Sequence, residues 1–348
     1  GGAFEVRIPN PTLKDIAAEV GVSISTVSRA LADHPAIPQK TKQRVLKAAQ
    51  KLNYRPNAQA RALRNSKTNT IGLVIPNLFN PYFAELAAAV QNAAIDVGLY
   101  TLLGISNDDP KGLIQAVEIM QHQRVDGIIA VPHIGTEKEL TALAKQNVPL
   151  VLVDRELDIV PATSVSTDPA EGIKAAVSML VTGGHESIGY LAGPQDTSTG
   201  VDRLEAFRSA CDSFGIDQYP MLLGGYVEEQ GYVGTQELLK LGVSAIIAGD
   251  SMMTVGALRA CHEHRLTPGF DIALVGFDDF PVFQLQNPPL TIINQHVSTM
   301  GAKAFEELHK LLRGDSAQHK IKLPTTLIVR GSTPPKDSAS DSSGQGGH

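Results

Sequence analysis

A set of charged, amide and aromatic side chains stands directly behind short β-branched runs of this 348-residue chain. Asn80, Tyr82 and Phe83 follow Ile71–Ile75, Asp154 and Arg155 follow Leu150–Val153, and Thr199 and Arg203 follow Ile188–Ala192. Tyr226 ends the run from Met221, Asp250 follows Ala245–Ala248, Asp278 follows Val275-Gly-Phe, and Gln295 follows Thr291-Ile-Ile-Asn. Aromatics of this kind stack on the apolar face of a ring. Carboxylates and a guanidinium supply directional hydrogen bonds that distinguish hydroxyl stereochemistry. Burying such groups is tolerable only where a ligand satisfies them, so the pattern reads as binding chemistry. Plainer readings exist: Asp154 and Asp278 could cap helices, Arg203 could pair with Asp202 or Glu205 on a surface helix, Phe83 could be core, and Asn80 could open the turn before Pro81. No P-loop, Gly-x-Ser-x-Gly, His-Glu-x-x-His or Cys-x-x-Cys pattern occurs. The Asp-Asp pairs at 108–109 and 278–279 suit loops, and the ten histidines are scattered. The chain is therefore expected to be no enzyme, with no catalytic residue, cofactor or metal.

A second constellation lies near the start. Thr12, with Asp15 three residues on, resembles a capping box, and Leu13, Ile16, Ala17 and Val20 follow helical spacing. Gly21 supplies a turn and Ser23 caps a second helix, in which Val27, Ala30 and Leu31 face inward. Ile24, Ser25, Thr26, Ser28 and Arg29 are left outside, where a helix-turn-helix reads bases in the major groove. A third helix, about 39–52, has Val45, Leu46, Ala49 and Leu52 for a core side. Lys40, Lys42, Arg44, Lys47 and Lys51 are candidates for phosphate contacts.

The charge distribution agrees with that division. Residues 1–67 carry 12 Lys/Arg against 4 Asp/Glu, a net of +8. The remaining 281 residues carry 18 against 32, a net of −14. A basic head on an acidic body is the footprint of a polyanion-binding module joined to something with another task. Hydrophobic content of 43% is ordinary for a globular chain, and no apolar run approaches the roughly 20 residues that span a bilayer. Cys211 and Cys261 have no metal-ligand spacing and read as free thiols in a cytoplasmic protein.

Elements must hold these residues in place. From Thr70 onward, strand-like runs (71–75, 99–105, 127–131, 150–153, 188–192, 245–248, 273–276) alternate with helical patterns (82–97, 113–123, 137–146, 170–181, 203–214, 229–241, 253–264). Alternation of this kind predicts parallel sheets built from βαβ crossovers. Ligands of such folds sit at the C-terminal ends of strands, where the polar residues above are found. Residues 331–348, rich in Pro, Ser, Asp and Gly, are expected to form a disordered tail, as are residues 1–11 at the other end.

The segments Thr-Leu-x-Asp-Ile-Ala, Gly-Val-Ser, Thr-Val-Ser-Arg, Leu-Asn-Tyr-Arg-Pro-Asn and Ala-Arg-Ala-Leu, in that order between residues 12 and 63, resemble the head of the LacI/GalR family. The resemblance implies an all-α helix-turn-helix domain over 12–56 and a hinge helix and linker over 57–68. It also implies an α/β, periplasmic-binding-protein-like effector domain over 69–330, made of two doubly wound parallel-sheet subdomains. These would comprise about 69–164 with 295–323, and about 165–294 with 324–330. The DNA-contact set then becomes Thr12, Ser23, Ile24, Ser25, Thr26, Ser28, Arg29, Tyr54, Asn57, Ala60 and Leu63, with Leu63 wedging into a minor-groove base step. The family implies a homodimer on a near-palindromic operator, acting as a repressor under small-molecule control. Relatives that bind ribose match this chain at most cleft positions. It departs from them at Asp250 and Val131, where they have Asn. Asp250 and Thr199 resemble purine-type repressors, but Thr197 stands where those use Arg. A pentose, or a nucleoside carrying one, is the expected effector. The alternatives are a hexose, a purine, or a catabolite-control regulator with a protein or sugar-phosphate co-effector. The other class considered, a sugar-binding receptor or sugar-acting enzyme, has no use for the head.

Overall fold

The computed structural model describes residues 11–54, 67–317 and 319–335. The chain divides into two compact units between Thr68 and Asn69.

In the first unit, helices α1 (Leu13–Val20), α2 (Ile24–Leu31) and α3 (Gln39–Lys51) pack around Ile16, Val20, Val27, Val45, Ala48 and Ala49. Thr12 donates to the Asp15 carboxylate from both its backbone N and its hydroxyl, each at 2.7 Å, which starts α1. Gly21 ends it at φ 69°, a left-handed conformation open to glycine without strain, and its N–H bonds to Ala17 O. Ser23 Oγ accepts from Thr26 N at 3.1 Å and caps α2. On α3 the inward stripe is 45, 48, 49 and 52, so Leu46, expected on the core side, is 53% exposed instead. Three of the five cations expected to face phosphates have partners within the head, and one of them, Lys42, is buried. Lys42 is buried against Asp33, Arg44 donates to Val20 O at 2.6 Å, and Lys51 pairs with Glu19 at 2.6 Å.

The second unit holds two six-stranded sheets. Its elements run β1 (Thr70–Ile75), α4 (Pro81–Ile95), β2 (Tyr100–Ile105), α5 (Pro110–His122), β3 (Gly127–Ala130), α6 (Glu137–Lys145), β4 (Leu150–Val153) and β5 (Thr163–Asp168). Then come α7 (Ala170–Thr182), β6 (Ile188–Ala192), α8 (Ser198–Ser213), β7 (Met221–Leu223), α9 (Glu228–Lys240), β8 (Ala245–Ala248), α10 (Ser251–Glu263) and β9 (Ala273–Phe277). Last are α11 (Pro281–Gln284), β10 (Thr291–Asn294), α12 (Val297–Leu312), β11 (Lys320–Pro324) and β12 (Thr326–Ile328). One sheet has the order β11-β5-β4-β3-β1-β2, all parallel. The other has the order β12-β10-β9-β8-β6-β7, parallel except for the antiparallel edge strand β12. Central strands such as Leu150–Val153 and Ala245–Ala248 are buried throughout, which suits sheets covered on both faces.

The chain passes between the sheets after Asp168, after Asn294 and after Pro324. The first passage was expected near residue 164 and falls later, because β5 completes the first sheet through Asp168 beside β11. Helix α12, absent from the sequence expectation, packs along α4 and returns the chain to the first sheet. Helix α8 starts five residues before its expected beginning, at Ser198, where Thr197 Oγ1 accepts from Gly200 N at 3.1 Å. The expected tail is also corrected at its start. Ser332 is fully buried, donates to Leu274 O at 2.6 Å and accepts from Thr291 N at 2.8 Å.

Candidate functional site

The head presents the first turn of α2. Ile24, Ser25 and Arg29 are exposed, Thr26 and Ser28 are half-buried, and Val27 and Ala30 lie in the core beneath them. This is the geometry by which a helix-turn-helix enters the major groove. Thr12 is committed to the α1 cap and Tyr54 packs against the core of the head. Asn57, Ala60 and Leu63, expected in a hinge helix, lie outside the described residues.

The second unit holds a narrow cleft between its sheets, at the C-terminal ends of their strands. All eleven effector residues expected from the sequence line it: Asn80, Tyr82, Phe83, Asp154, Arg155, Thr199, Arg203, Tyr226, Asp250, Asp278 and Gln295. Asn77 and Asp108 also line it and were missed. Asn77 Oδ1 accepts from Asn80 N at 2.9 Å, and Asp108 holds Arg155 through bonds of 2.6 and 3.3 Å. The only signal for either was position, just beyond the ends of β1 and β2.

Local folding sets each group. Asn80 Oδ1 caps α4 by accepting from Tyr82 N at 3.0 Å, with Pro81 in the first turn. Tyr82 Oη then donates to Asp154 Oδ1 at 2.5 Å. Phe83 meets Tyr82 edge to face at 5.1 Å and serves both the core and the cleft wall. Asp154 and Asp278 cap no helix. Each adopts a positive φ, 69° and 61°, immediately after β4 and β9, which turns its carboxylate into the cleft. Asp250 does cap: its Oδ1 accepts from Met253 N at 2.8 Å. Arg203 makes no surface pair. It is buried, donates to Gly249 O at 2.8 Å and to Gln295 Oε1 at 2.7 Å, and lies 4.5 Å from the centre of the Phe277 ring. Gln295 passes the link on, donating to Asp278 Oδ1 at 2.7 Å.

The electrostatics are those of charges held out of water. Burial drives Asp278 up to about 7, against the pull of Arg203 and the Gln295 bond. Burial drives Asp250 up to about 6, opposed by the Met253 N–H and Arg203. Asp154 is raised by burial too, with Arg155 and Tyr82 opposing. Burial works to lower Arg203, but Tyr226, Asp278 and Asp154 hold it above its ordinary value. Four carboxylates and two guanidiniums, each arginine already bonded to the chain, make a site richer in acceptors than in uncommitted cations. Among the described residues no cluster fits a metal ion, and no helix is long and apolar enough to cross a membrane.

Residues 12–57 match the bacterial regulatory proteins of the lacI family, and residues 177–333 match a periplasmic binding protein-like domain. The ribose operon repressor of Bacillus subtilis (strain 168) is 30% identical over 329 residues, which are 94% of this chain and 99% of that repressor. This chain belongs to the lacI family. The HTH-type transcriptional regulator DegA of the same organism is 30% identical over 331 residues, 93% of this chain and 98% of DegA. A crystal structure of the lac repressor dimer bound to operator and the anti-inducer ONPF superimposes with a TM-score of 0.85. It is 28% identical and covers 93% of this chain and 99% of its own. Membership in the lacI family makes this chain a DNA-binding transcriptional regulator, not an enzyme.

Proposed function

We propose that two copies of the chain bind a near-palindromic operator as a repressor. In this reading an unphosphorylated pentose, or a nucleoside carrying one, occupies the cleft and sets operator affinity. The observation that carries the reading is the convergence on one cleft of Asp154 behind a strand of the first sheet with Asp250 and Asp278 behind strands of the second and Arg203 from α8. Asp154 belongs to one sheet and the other three to the second, so a ligand that bonds to all of them favours the state in which the two sheets are drawn together. A ligand shifts such an equilibrium only by its differential affinity for the two states. A tenfold change in operator affinity needs about 1.4 kcal/mol of coupling.

The effector class follows from the donor and acceptor inventory. Buried carboxylates accept from hydroxyls, while Tyr82, Phe83 and Tyr226 offer ring faces or edges. A phosphate would meet four carboxylates and two arginines that the chain already holds with Asp108, Gly249 and Gln295. The similarity to the ribose operon repressor supports the same class.

Thermal-shift measurements with D-ribose, adenosine, hypoxanthine and ribose 5-phosphate test this, repeated with a duplex selected from a random library. Ribose or adenosine at 100 times its Kd should add about 2.7 kcal/mol, a rise of several degrees. A rise confined to hypoxanthine or ribose 5-phosphate overturns the effector class and leaves the DNA reading intact.

A further inference from the structure

Base recognition in the major groove uses two kinds of contact: hydrogen bonds to base edges, and apolar contact with the 5-methyl group of thymine. The outward face of α2 is short of the first. Between Ser23 and Leu31 there is no Asn, Gln or Lys, and Arg29 is the one long donor. The hydroxyls at the start of the helix are engaged with one another. Ser23 Oγ lies 2.8 Å from both Ser25 Oγ and Thr26 Oγ1, and also accepts from Thr26 N. What projects from this turn is Ile24, a branched apolar side chain left 49% exposed on a head of net charge +8. Burial of the head's core does not require it: Ile16, Val20, Val27 and Ala30 close that core without Ile24.

We propose that Ile24 reads a thymine methyl group, so that each operator half-site carries a T·A pair facing Ile24 that is recognised by apolar contact. The proposal rests on the reading of the head as a duplex-binding module. Arg29 then supplies the hydrogen-bonded readout further along the helix, and the hydroxyl cluster holds the first turn in shape. A thymine methyl is the one feature of that base edge that can be removed while every hydrogen-bonding group stays in place.

The test uses full-length protein and a duplex selected from a random library. Each thymine of the half-site is replaced by uracil, symmetrically in both halves, and affinity is measured by gel shift. One position should weaken by about fourfold per half-site, the value of one buried methyl group. In Ile24→Ala the thymine-to-uracil ratio at that position should collapse to about one. Leu46→Ala, which removes the other half-exposed large apolar side chain among the described residues of the head, should leave the ratio unchanged. A selected duplex that is indifferent to uracil at every position overturns the role of Ile24 and leaves DNA binding standing. A uracil effect that persists undiminished in Ile24→Ala also overturns it. Failure to select any duplex above random sequence overturns the reading of the head itself.

Discussion

Asp278 is poorly suited to an empty cleft. Its carboxyl titrates near 7 in the folded chain, whereas an unfolded aspartate titrates near its ordinary value of 3.8. Between those two values the native state binds the proton more tightly, so the stability of the ligand-free fold falls as pH rises from about 4 to about 7. Asp250, raised to about 6, acts in the same direction over a narrower range. Asp278→Asn should therefore melt higher than the parent at pH 8, and no differently at pH 4, in calorimetry without ligand. It should also lose the response of operator binding to the effector. A variant that melts no higher at pH 8 would mean that Arg203 and Gln295 already stabilise the ionised form in full. A variant that keeps its response would place Asp278 outside the effector site. The cleft residues were legible from sequence because parallel α/β sheets put ligands at strand C-termini, and the strand ends around Val153, Ala248 and Phe277 are unambiguous. Asp108 was not legible. It lies in an Asn107-Asp108-Asp109 turn whose composition is that of any loop, and only its bond to Arg155 distinguishes it.

At the scale of elements, sequence periodicity found the central apolar strands and missed the polar β5 and the two short edge strands β11 and β12. Strand β5 reads Thr-Ser-Val-Ser-Thr-Asp, yet its first five residues are buried. Two of its hydroxyls have side-chain partners: Ser166 donates to Glu156, and Thr167 donates to Gln295 at 3.0 Å. No single-residue pattern reveals partners 10 and 128 positions away. Helix packing was equally hidden. Helices α9 and α10 cross closely at Gly231, where an added Cβ would come within 2.4 Å of Met253 O and 2.5 Å of Met253 Cα. Gly231→Ala would raise helix propensity by about 1 kcal/mol, but its methyl meets backbone, which cannot rotate away. The net expectation is a loss of about 1–3 kcal/mol in urea unfolding. Because α9 follows Tyr226 and α10 begins at Asp250, the forced separation should also weaken effector binding. Unchanged stability would show that the two helices slide apart freely.

Across the whole molecule, charge is divided between a basic head and an acidic body, and the head's affinity for duplex DNA should fall steeply with salt. Lys42 is buried against Asp33, so the contact set is smaller than the sequence count suggested. A log–log slope of about −4 or steeper is expected for a selected duplex. Replacing exposed Lys47 by Ala should make the slope shallower by about one unit at no cost in stability. Lys42→Ala should leave the slope alone and lower the melting temperature of the head, because it abandons the Asp33 bonds. A slope near zero excludes the head as a duplex-binding module.

The two last strands have a consequence for synthesis. Residues 12–54 precede the second unit in the chain and close a core of their own, so the head can fold before the second unit is made. The sensor cannot. Strand β11 closes the edge of one sheet and β12 the edge of the other, only one residue apart in sequence. Neither subdomain is complete until the segment 320–328 has emerged, and then both are completed together. A nascent chain thus carries a finished DNA reader ahead of an unfinished control element, and the interval between them is set by the time needed to translate about 270 codons.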